Sequence, residues 1–382
     1  MRILFFSELY FPNISGGAEI FVQLLAENLV KVGHTVYICS IADSYKRSEK
    51  NGVNLIYLKY HNIYWEYQHS GNSIGKAIWH MIDMYNHFFR HDISLIISEV
   101  SPDIVHTNNI CGFSSIVWTI AKERHIPLVH TIHDHYLMCY RTTMFHNNKV
   151  CESQCLSCRF ASMFAKRGSQ KVDAVVGVSQ YILNKHLENR YFKNAKVTKV
   201  IGNGFVAHQR PKIEREKNVI GFIGSITPVK GVERLMDDFN RLGNNGWKLK
   251  IAGKGSDNYI AFLKRRYPDI NVEFVGRVDP DEFLSSISLL VVPSLVNDTF
   301  GRVVVEAIFN NCPVIVSNRG GLPEIIKDKQ YRFEPDDSDS LYHLLREFID
   351  GRIVWNTVEI DNSYLIENVV KEYIKIYRDL MN

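Results

Sequence analysis

The sequence predicts an α/β protein made of two doubly wound, Rossmann-like domains facing a central cleft. Three observations carry this. Strand-like apolar runs alternate with helix-like amphipathic runs almost throughout, 382 residues exceed what one core ordinarily organises, and the alternation lapses once, near 205–217, into the polar stretch His208-Gln209-Arg210-Pro211-Lys212. Repeated β-α alternation implies parallel strands covered by helices on both faces, with ligands bound beyond the carboxyl ends of the strands.

The first series opens with a strand at 2–7, an amphipathic helix at 18–32, and short β-branched or apolar strands at 35–40 and 53–58. A long helical stretch over 73–98 precedes a strand at 103–106, announced by Ser101-Pro102. Helix 114–124, strand 127–132, strand 172–178, helix 179–189 and strand 196–201 complete it. The second series runs strand 218–223, helix 231–240, strand 247–252, helix 257–267, strand 271–275, helix 280–286, strand 288–292, helix 302–310 and strand 313–316. Helices near 338–349 and 363–380 close the chain. The domains are therefore expected at 1–205 and 218–382, joined by a linker at 206–217, with the final helix free to pack back on the first domain.

Composition is that of a soluble globular protein, with 23% charged and 46% hydrophobic residues. No apolar run is long enough to span a bilayer, and the first residues lack a secretory cleavage pattern. Seven cysteines, an odd number, argue for a reducing compartment, so a cytoplasmic location is expected. Residues 1–210 carry 22 Lys and Arg against 15 Asp and Glu, and 14 of the 15 His. A basic first half suits an anionic acceptor or a membrane surface. With no long basic block and no nucleic-acid motif, nucleic acid is not an expected partner.

The most informative stretch is Asn297-Asp298-Thr299-Phe300-Gly301-Arg302-Val303-Val304-Val305-Glu306-Ala307. Two carboxylates, Asp298 and Glu306, bracket a Phe300-Gly301 turn that opens an apolar helix. Glycine there lets backbone N–H groups approach an anion, and Glu306, one to two turns in, can accept from the paired hydroxyls of a ribose. Asp298 as a simple helix cap is the plainer alternative. Gly224-Ser225-Ile226-Thr227-Pro228-Val229-Lys230-Gly231 ends a strand and precedes a helix, so Lys230 can neutralise a diphosphate or simply be solvated. Gly16-Gly17-Ala18-Glu19 joins the first strand to the first helix. It is neither a dinucleotide fingerprint nor a Walker A loop, which argues against oxidoreductase and NTPase readings. His133-Asp134 ends an apolar strand; His133 can hydrogen-bond a sugar hydroxyl, with Asp134 orienting it.

Together these pieces, with Ile201-Gly202-Asn203-Gly204, resemble the retaining glycosyltransferases of GT-B fold, specifically glycosyltransferase family 4 (the group 1 glycosyltransferases), from end to end. Asp298-x7-Glu306 corresponds to the family's paired-acid signature, with Asp in the first place. The resemblance implies a nucleotide-diphosphate sugar as donor and no cofactor for catalysis. By the same resemblance Glu306 binds the nucleotide ribose, and Asp298 with the Thr299-Phe300-Gly301 turn binds the transferred sugar. Lys230 stabilises the diphosphate, His133 sits beside the sugar, and the Gly16-Gly17 loop borders the diphosphate and acceptor. Attack on the same face as departure is implied, with positioning and leaving-group stabilisation from the protein. The family usually carries Arg where Ser225 stands, and Arg302 is the expected source of the missing charge.

Cys139, Cys151, Cys155 and Cys158 follow His133-Asp134 directly. Cys155-x2-Cys158 has zinc-chelate spacing, and the four thiolates can form a structural zinc site or remain ordinary thiols. Arg159–Arg167 interleaves aromatic and basic residues, suiting either a membrane interface or a core-facing helix. With 61–65 and 88–91 it tilts the expectation towards a lipid-linked oligosaccharide acceptor and peripheral contact with the inner face of the cell membrane, in cell-surface polysaccharide or lipopolysaccharide synthesis. The rivals are transfer to a soluble acceptor, and a nucleotide-binding protein without turnover.

Overall fold

The computed structural model describes residues 1–65, 67, 71–207, 214–243, 246–356, 358 and 361–382. The polar stretch 208–212 of the expected linker lies outside the described residues. The chain divides into two compact units, one comprising Met1–Met144, Cys151–Val206 and Asn362–Asn382, the other Phe145–Val150 and Ala207–Asp361.

The first unit is built on an eight-stranded sheet. Its strands are β1 (Arg2–Phe6), β2 (Thr35–Ala42), β3 (Lys46–Lys50), β4 (Val53–Lys59), β5 (Ile104–Thr107) and β6 (Leu128–Ile132). A small hairpin, β7 (Phe145–His146) and β8 (Lys149–Val150), intervenes before β9 (Ala174–Gly177) and β10 (Val197–Val200). The order is β10-β9-β6-β5-β1-β2-β4-β3, parallel except for β3 against β4. Central strands are apolar on both faces because helices cover both; every residue of Ile3–Phe6 is inaccessible to solvent. The chain leaves β1 towards β2 and later returns on its other side as β5, so the carboxyl ends of β1 and β5 form the switch point at which such sheets bind ligands.

Two expectations need correction. The stretch 73–98 is not one helix but two, Ser73–Asp83 and Arg90–Val100, with a 3₁₀ turn at His87–Phe89 between them. The break follows from Asn86, whose buried amide donates to the carbonyls of His61 and Gly112 while its N–H donates to Ser114 Oγ. Strand β3 was not expected, because Lys46–Lys50 contains no apolar residue; as an edge strand it needs only backbone pairing.

The closing helix Ile366–Met381 packs on helix Gly17–Lys31 in this unit, burying Ile366, Val369, Val370, Tyr373, Ile376 and Tyr377 at helical spacing. Its two tyrosines enter a polar chain beneath the sheet. Tyr377 OH bonds His106 Nδ1 at 2.7 Å, His106 Nε2 bonds Thr131 Oγ1 at 2.8 Å, and Thr131 bonds Tyr373 OH at 2.9 Å. Gly204 lies directly against this helix, since a Cβ there would meet Ile366 Cδ1 at 2.7 Å.

In the second unit six parallel strands follow the order β13-β12-β11-β14-β15-β16, with β11 at Val219–Ile223, β12 at Lys248–Ala252, β13 at Val272–Gly276, β14 at Leu289–Val292, β15 at Val314–Ser317 and β16 at Arg332–Phe333. Helix Val232–Arg241 drives Val232, Leu235, Met236 and Phe239 into a core shared with Ile251 and Val291. Here the switch point lies between β11 and β14, so the loops leaving those two strands are the place for a ligand.

Candidate active site

Both switch-point loops of the second unit carry residues singled out from the sequence, and the fold brings them together. The loop after β11 is tied to the loop after β14 by Leu295 N–H donating to the Val229 carbonyl at 2.9 Å. Gly231 makes this approach possible: it has φ +74, and a Cβ there would lie 1.9 Å from the Pro293 carbonyl oxygen. The result is an ion pair between Lys230 Nζ and Asp298 Oδ1, while Ser294 Oγ donates to Asp298 Oδ2. The Asp298 backbone is fixed from a third loop, after β15, by Gly321 N–H donating to its carbonyl at 2.7 Å. Gly320, at φ +60, lies flat against that carbonyl, where a Cβ would come within 2.1 Å of the oxygen. Neither Ser294 nor Gly320 carries a local signal in the sequence; their role comes only from the loops the fold brings together.

Phe300 is buried, and Gly301 (φ +94) is the N-cap of helix Arg302–Phe309. Asp298 therefore does not cap this helix. One turn in, Arg302 Nε donates to Glu306 Oε1 at 2.7 Å, and Arg302 Nη1 is buried with no hydrogen-bond partner. Ser225 is exposed at the end of β11, after Gly224. This unit thus holds two carboxylates, each neutralised by a cation, beside a glycine-opened helix N-terminus. A bound anion can draw on those cations, and hydroxyls can satisfy the carboxylates.

The first unit gathers a second group at its own switch point. Helix Gly17–Lys31 starts at the Gly16-Gly17 turn, where Glu19 Oε2 accepts from Gly16 N–H at 2.7 Å. Glu19 is buried, and its other oxygen accepts from Asn109 Nδ2 at 3.5 Å. The neighbouring Asn108 holds His133 through a 2.9 Å contact between Oδ1 and Nε2. Asn108, not Asp134, therefore orients His133; Asp134 Oδ1 instead accepts from Tyr136 N–H at 2.7 Å. Burial depresses the His133 imidazole to about 3, so the ring is neutral at physiological pH. Burial raises the Asp134 carboxyl to about 6, and the charge of Glu19 adds to this.

A small recess of about 30 Å³ in the same unit is lined by His80, Asp83, Tyr136, Tyr140, Ser162 and Ala165, among others. Asp83 in its lining is buried and accepts from Tyr136 OH at 2.6 Å and Gly112 N–H at 2.7 Å. Helix Ser73–Asp83 and the helices Leu156–Ala161 and Met163–Ser169 contribute to its walls. Both sides leave large apolar side chains in solvent: Ile74, Ile78 and Met81 on the first, and Leu156, Phe160, Met163 and Phe164 on the second. Phe160 (64% exposed) and Met163 (49%) exclude the core-facing reading of Arg159–Arg167 for these side chains. Among the described residues no helix is long and apolar enough to cross a membrane.

Of the four clustered cysteines, Cys139 and Cys158 are buried with their Sγ atoms 3.7 Å apart. Cys155 is exposed and contacts Ser157 Oγ at 3.2 Å. Among the described residues no three His, Cys, Asp or Glu side chains are gathered, as they stand, to hold a metal ion.

Two parallel-sheet units, each with its polar groups at the switch point, define the GT-B class of glycosyltransferase. Residues 206–368 match the family described as glycosyl transferases group 1, and residues 15–208 match glycosyltransferase family 4. The chain is 34% identical to a 42.6 kDa protein from a cps region of Klebsiella pneumoniae, over 99% of this chain and all of that one. Among solved structures it resembles sucrose-phosphate synthase of Thermosynechococcus elongatus (TM-score 0.75, 18% identity, 99% and 98% of the two chains). It also resembles Anabaena HepE in complex with UDP (TM-score 0.73, 17% identity, 99% and 100%). The protein belongs to the group 1, family 4 glycosyltransferases.

Proposed function

We propose that this glycosyltransferase moves a hexose, with retention of configuration, from a nucleoside-diphosphate sugar to a lipid-linked oligosaccharide during assembly of a cell-surface polysaccharide. The observation that carries the donor half is the convergence of Lys230, Asp298, Arg302 and Glu306 on the Phe300-Gly301 turn. Glu306 would accept from the ribose hydroxyls, and Asp298 with the Thr299–Gly301 backbone would hold the sugar. Lys230 and Arg302 would turn from these carboxylates to the diphosphate. The buried Nη1 of Arg302 supports its standing in for the arginine that Ser225 replaces. As the glycosidic bond breaks, charge builds on the departing phosphate oxygen. The two cations and the helix N-terminus stabilise that charge, and the same oxygen can take the acceptor's proton. His133, neutral and donating Nε2–H to Asn108, would sit beside the donor sugar.

The acceptor half rests on the surface formed by the helices that flank Asp83. The exposed apolar side chains on these helices, with Lys76, Arg159, Lys166 and Arg167 among them, suit a lipid surface that carries negative charge. The relative from a cps region supports the polysaccharide part of the reading. Incubation with radiolabelled nucleotide sugars and either a membrane lipid extract or water-soluble oligosaccharides tests the reading. Label entering the organic phase supports it. Transfer only to soluble acceptors would favour the first rival, and donor binding without transfer to either would favour the second.

A further inference from the structure

The loop after β12 lies against the Lys230-bearing loop after β11, and the strand register fixes which residues stand opposite. Pairing of β11 with β12 keeps one offset from Val219 and Lys248 to Ile223 and Ala252, and the bridge between Ile226 and Gly255 continues it past the strand ends. Ser225 and Lys254 are therefore register neighbours. Gly224 N–H donates to the Ala252 carbonyl at 3.1 Å, and Ile226 N–H to the Lys254 carbonyl at 2.8 Å. Glycines on either side of Lys254 permit this approach. A Cβ on Gly253 (φ +134) would lie 1.7 Å from the Gly224 carbonyl oxygen, and one on Gly255 would lie 2.6 Å from that of Ile226. Opposite positions of neighbouring parallel strands turn their side chains to the same face, about 4.8 Å apart. Ile226 is buried in the core, whereas Ser225 and Lys254 are both exposed.

Charge is placed unevenly along this stretch. Lys248 and Lys250, within β12, each pair with a carboxylate, Glu273 and Glu216. Lys254, at the ligand end, has no such partner among the described residues. We propose that Lys254 binds the diphosphate of the donor, supplying from β12 the positive charge that Ser225 does not supply from β11. The proposal rests on the donor site proposed above. Lysine's flexible stem spans the gap between adjacent strands, and its ammonium meets phosphate oxygens as a point charge, without requiring one orientation. Lys230 and Arg302 must turn from Asp298 and Glu306 to reach a phosphate, whereas Lys254 gives up only water. Its contribution is therefore made when the donor binds, so donor affinity depends on it more than kcat does. An exposed ammonium is screened by salt, and the effect is largest at low ionic strength.

Isothermal titration of the full chain at low ionic strength with UDP, GDP, ADP and CDP tests it. The wild type is compared with Lys254→Ala, Lys254→Arg, Glu306→Ala and the double variant Ser225→Arg with Lys254→Ala. For the diphosphate that the wild type binds, Lys254→Ala is expected to weaken affinity roughly tenfold, the lower end for a hydrogen bond to a charged group. Lys254→Arg should retain affinity, and Ser225→Arg should restore it in the Lys254→Ala chain, because the charge returns one strand away. A merely structural role for Lys254 gives no rescue from position 225. Unchanged affinity in Lys254→Ala, or a loss that neither arginine restores, overturns the proposal; the donor site still stands if Glu306→Ala abolishes binding. No binding of any of the four by the wild-type chain overturns both.

Discussion

Arg302 Nε lies 2.7 Å from Glu306 Oε1, one turn along a helix that begins at Gly301. An (i, i+4) pair on an exposed helix contributes only a few tenths of a kcal/mol. This one lies mostly buried at the ligand end of the sheet, and its guanidinium keeps a buried N–H without a partner. An arginine held by a carboxylate yet incompletely bonded is suited to meet an anion. Arg302→Ala is expected to lower kcat/KM for the donor roughly tenfold to a hundredfold, the range of one charge-assisted hydrogen bond. Steady-state kinetics with varied donor checks this, and unchanged turnover removes the role.

Lys230 is expected to act mainly after the donor has bound. Lys230→Ala should lower kcat by roughly 10²–10³, as loss of one stabilising contact to developing charge does elsewhere, with a smaller change in donor affinity. Single-turnover measurements separate the two. Equal losses in binding and in kcat/KM, with kcat intact, would reassign Lys230 to uniform binding.

Gly320 supports the backbone of Asp298. Gly320→Ala forces a Cβ to within 2.1 Å of the Asp298 carbonyl at a positive φ, so the loop must shift. A stability loss of about 1–3 kcal/mol in urea unfolding is expected, with reduced kcat in the folded fraction. Gly243→Ala, also at positive φ but with open space around it, should show the smaller backbone penalty alone.

Tyr377→Phe removes the hydroxyl that satisfies His106 Nδ1 in a fully buried chain of polar groups. The expected loss is about 1–3 kcal/mol, because a buried polar atom is left unpaired. Nucleotide affinity should be unchanged. Chemical denaturation beside calorimetric binding checks both.

Five histidines of the first unit, His106, His130, His133, His135 and His186, are buried and held below their ordinary pKa by desolvation. Their folded-state values lie below the unfolded value, so the unfolded chain binds more protons in acid. Stability is then full above about pH 6.5 and falls as pH drops towards 3–4, by about 1.4 kcal/mol per pH unit for each histidine titrating only when unfolded. Asp134, raised to about 6, acts in the opposite sense: its penalty is absent below the unfolded value of 3.8 and complete above 6. Urea unfolding between pH 4 and 8 should therefore show steep acid loss, and Asp134→Asn should gain stability at pH 7 but not at pH 4.

Most of the fold was legible because parallel strands buried on both faces print themselves as apolar runs, as at Ile3–Phe6 and Leu289–Val292. Strand β3 was not, since five polar residues pair by backbone alone, and neither was the helix break at Asn86, which depends on side-chain bonds to His61 and Gly112. The candidate donor residues were readable from Asp298-x7-Glu306 and Lys230. Their pairing was not, because it depends on Gly231 and Gly320 allowing three loops to touch. The orienting of His133 by Asn108 joins the ends of two strands, a relation that local sequence does not carry.

The proposed nucleoside-diphosphate site is built on Glu306 and its neighbours. Isothermal titration of the folded protein with UDP, GDP, ADP and CDP, beside Glu306→Ala, tests it most directly. Saturable binding of one of these, lost in the variant while the variant remains folded, is the predicted result. No heat with any of the four, or binding that Glu306→Ala leaves intact, would rule out a donor site at Glu306.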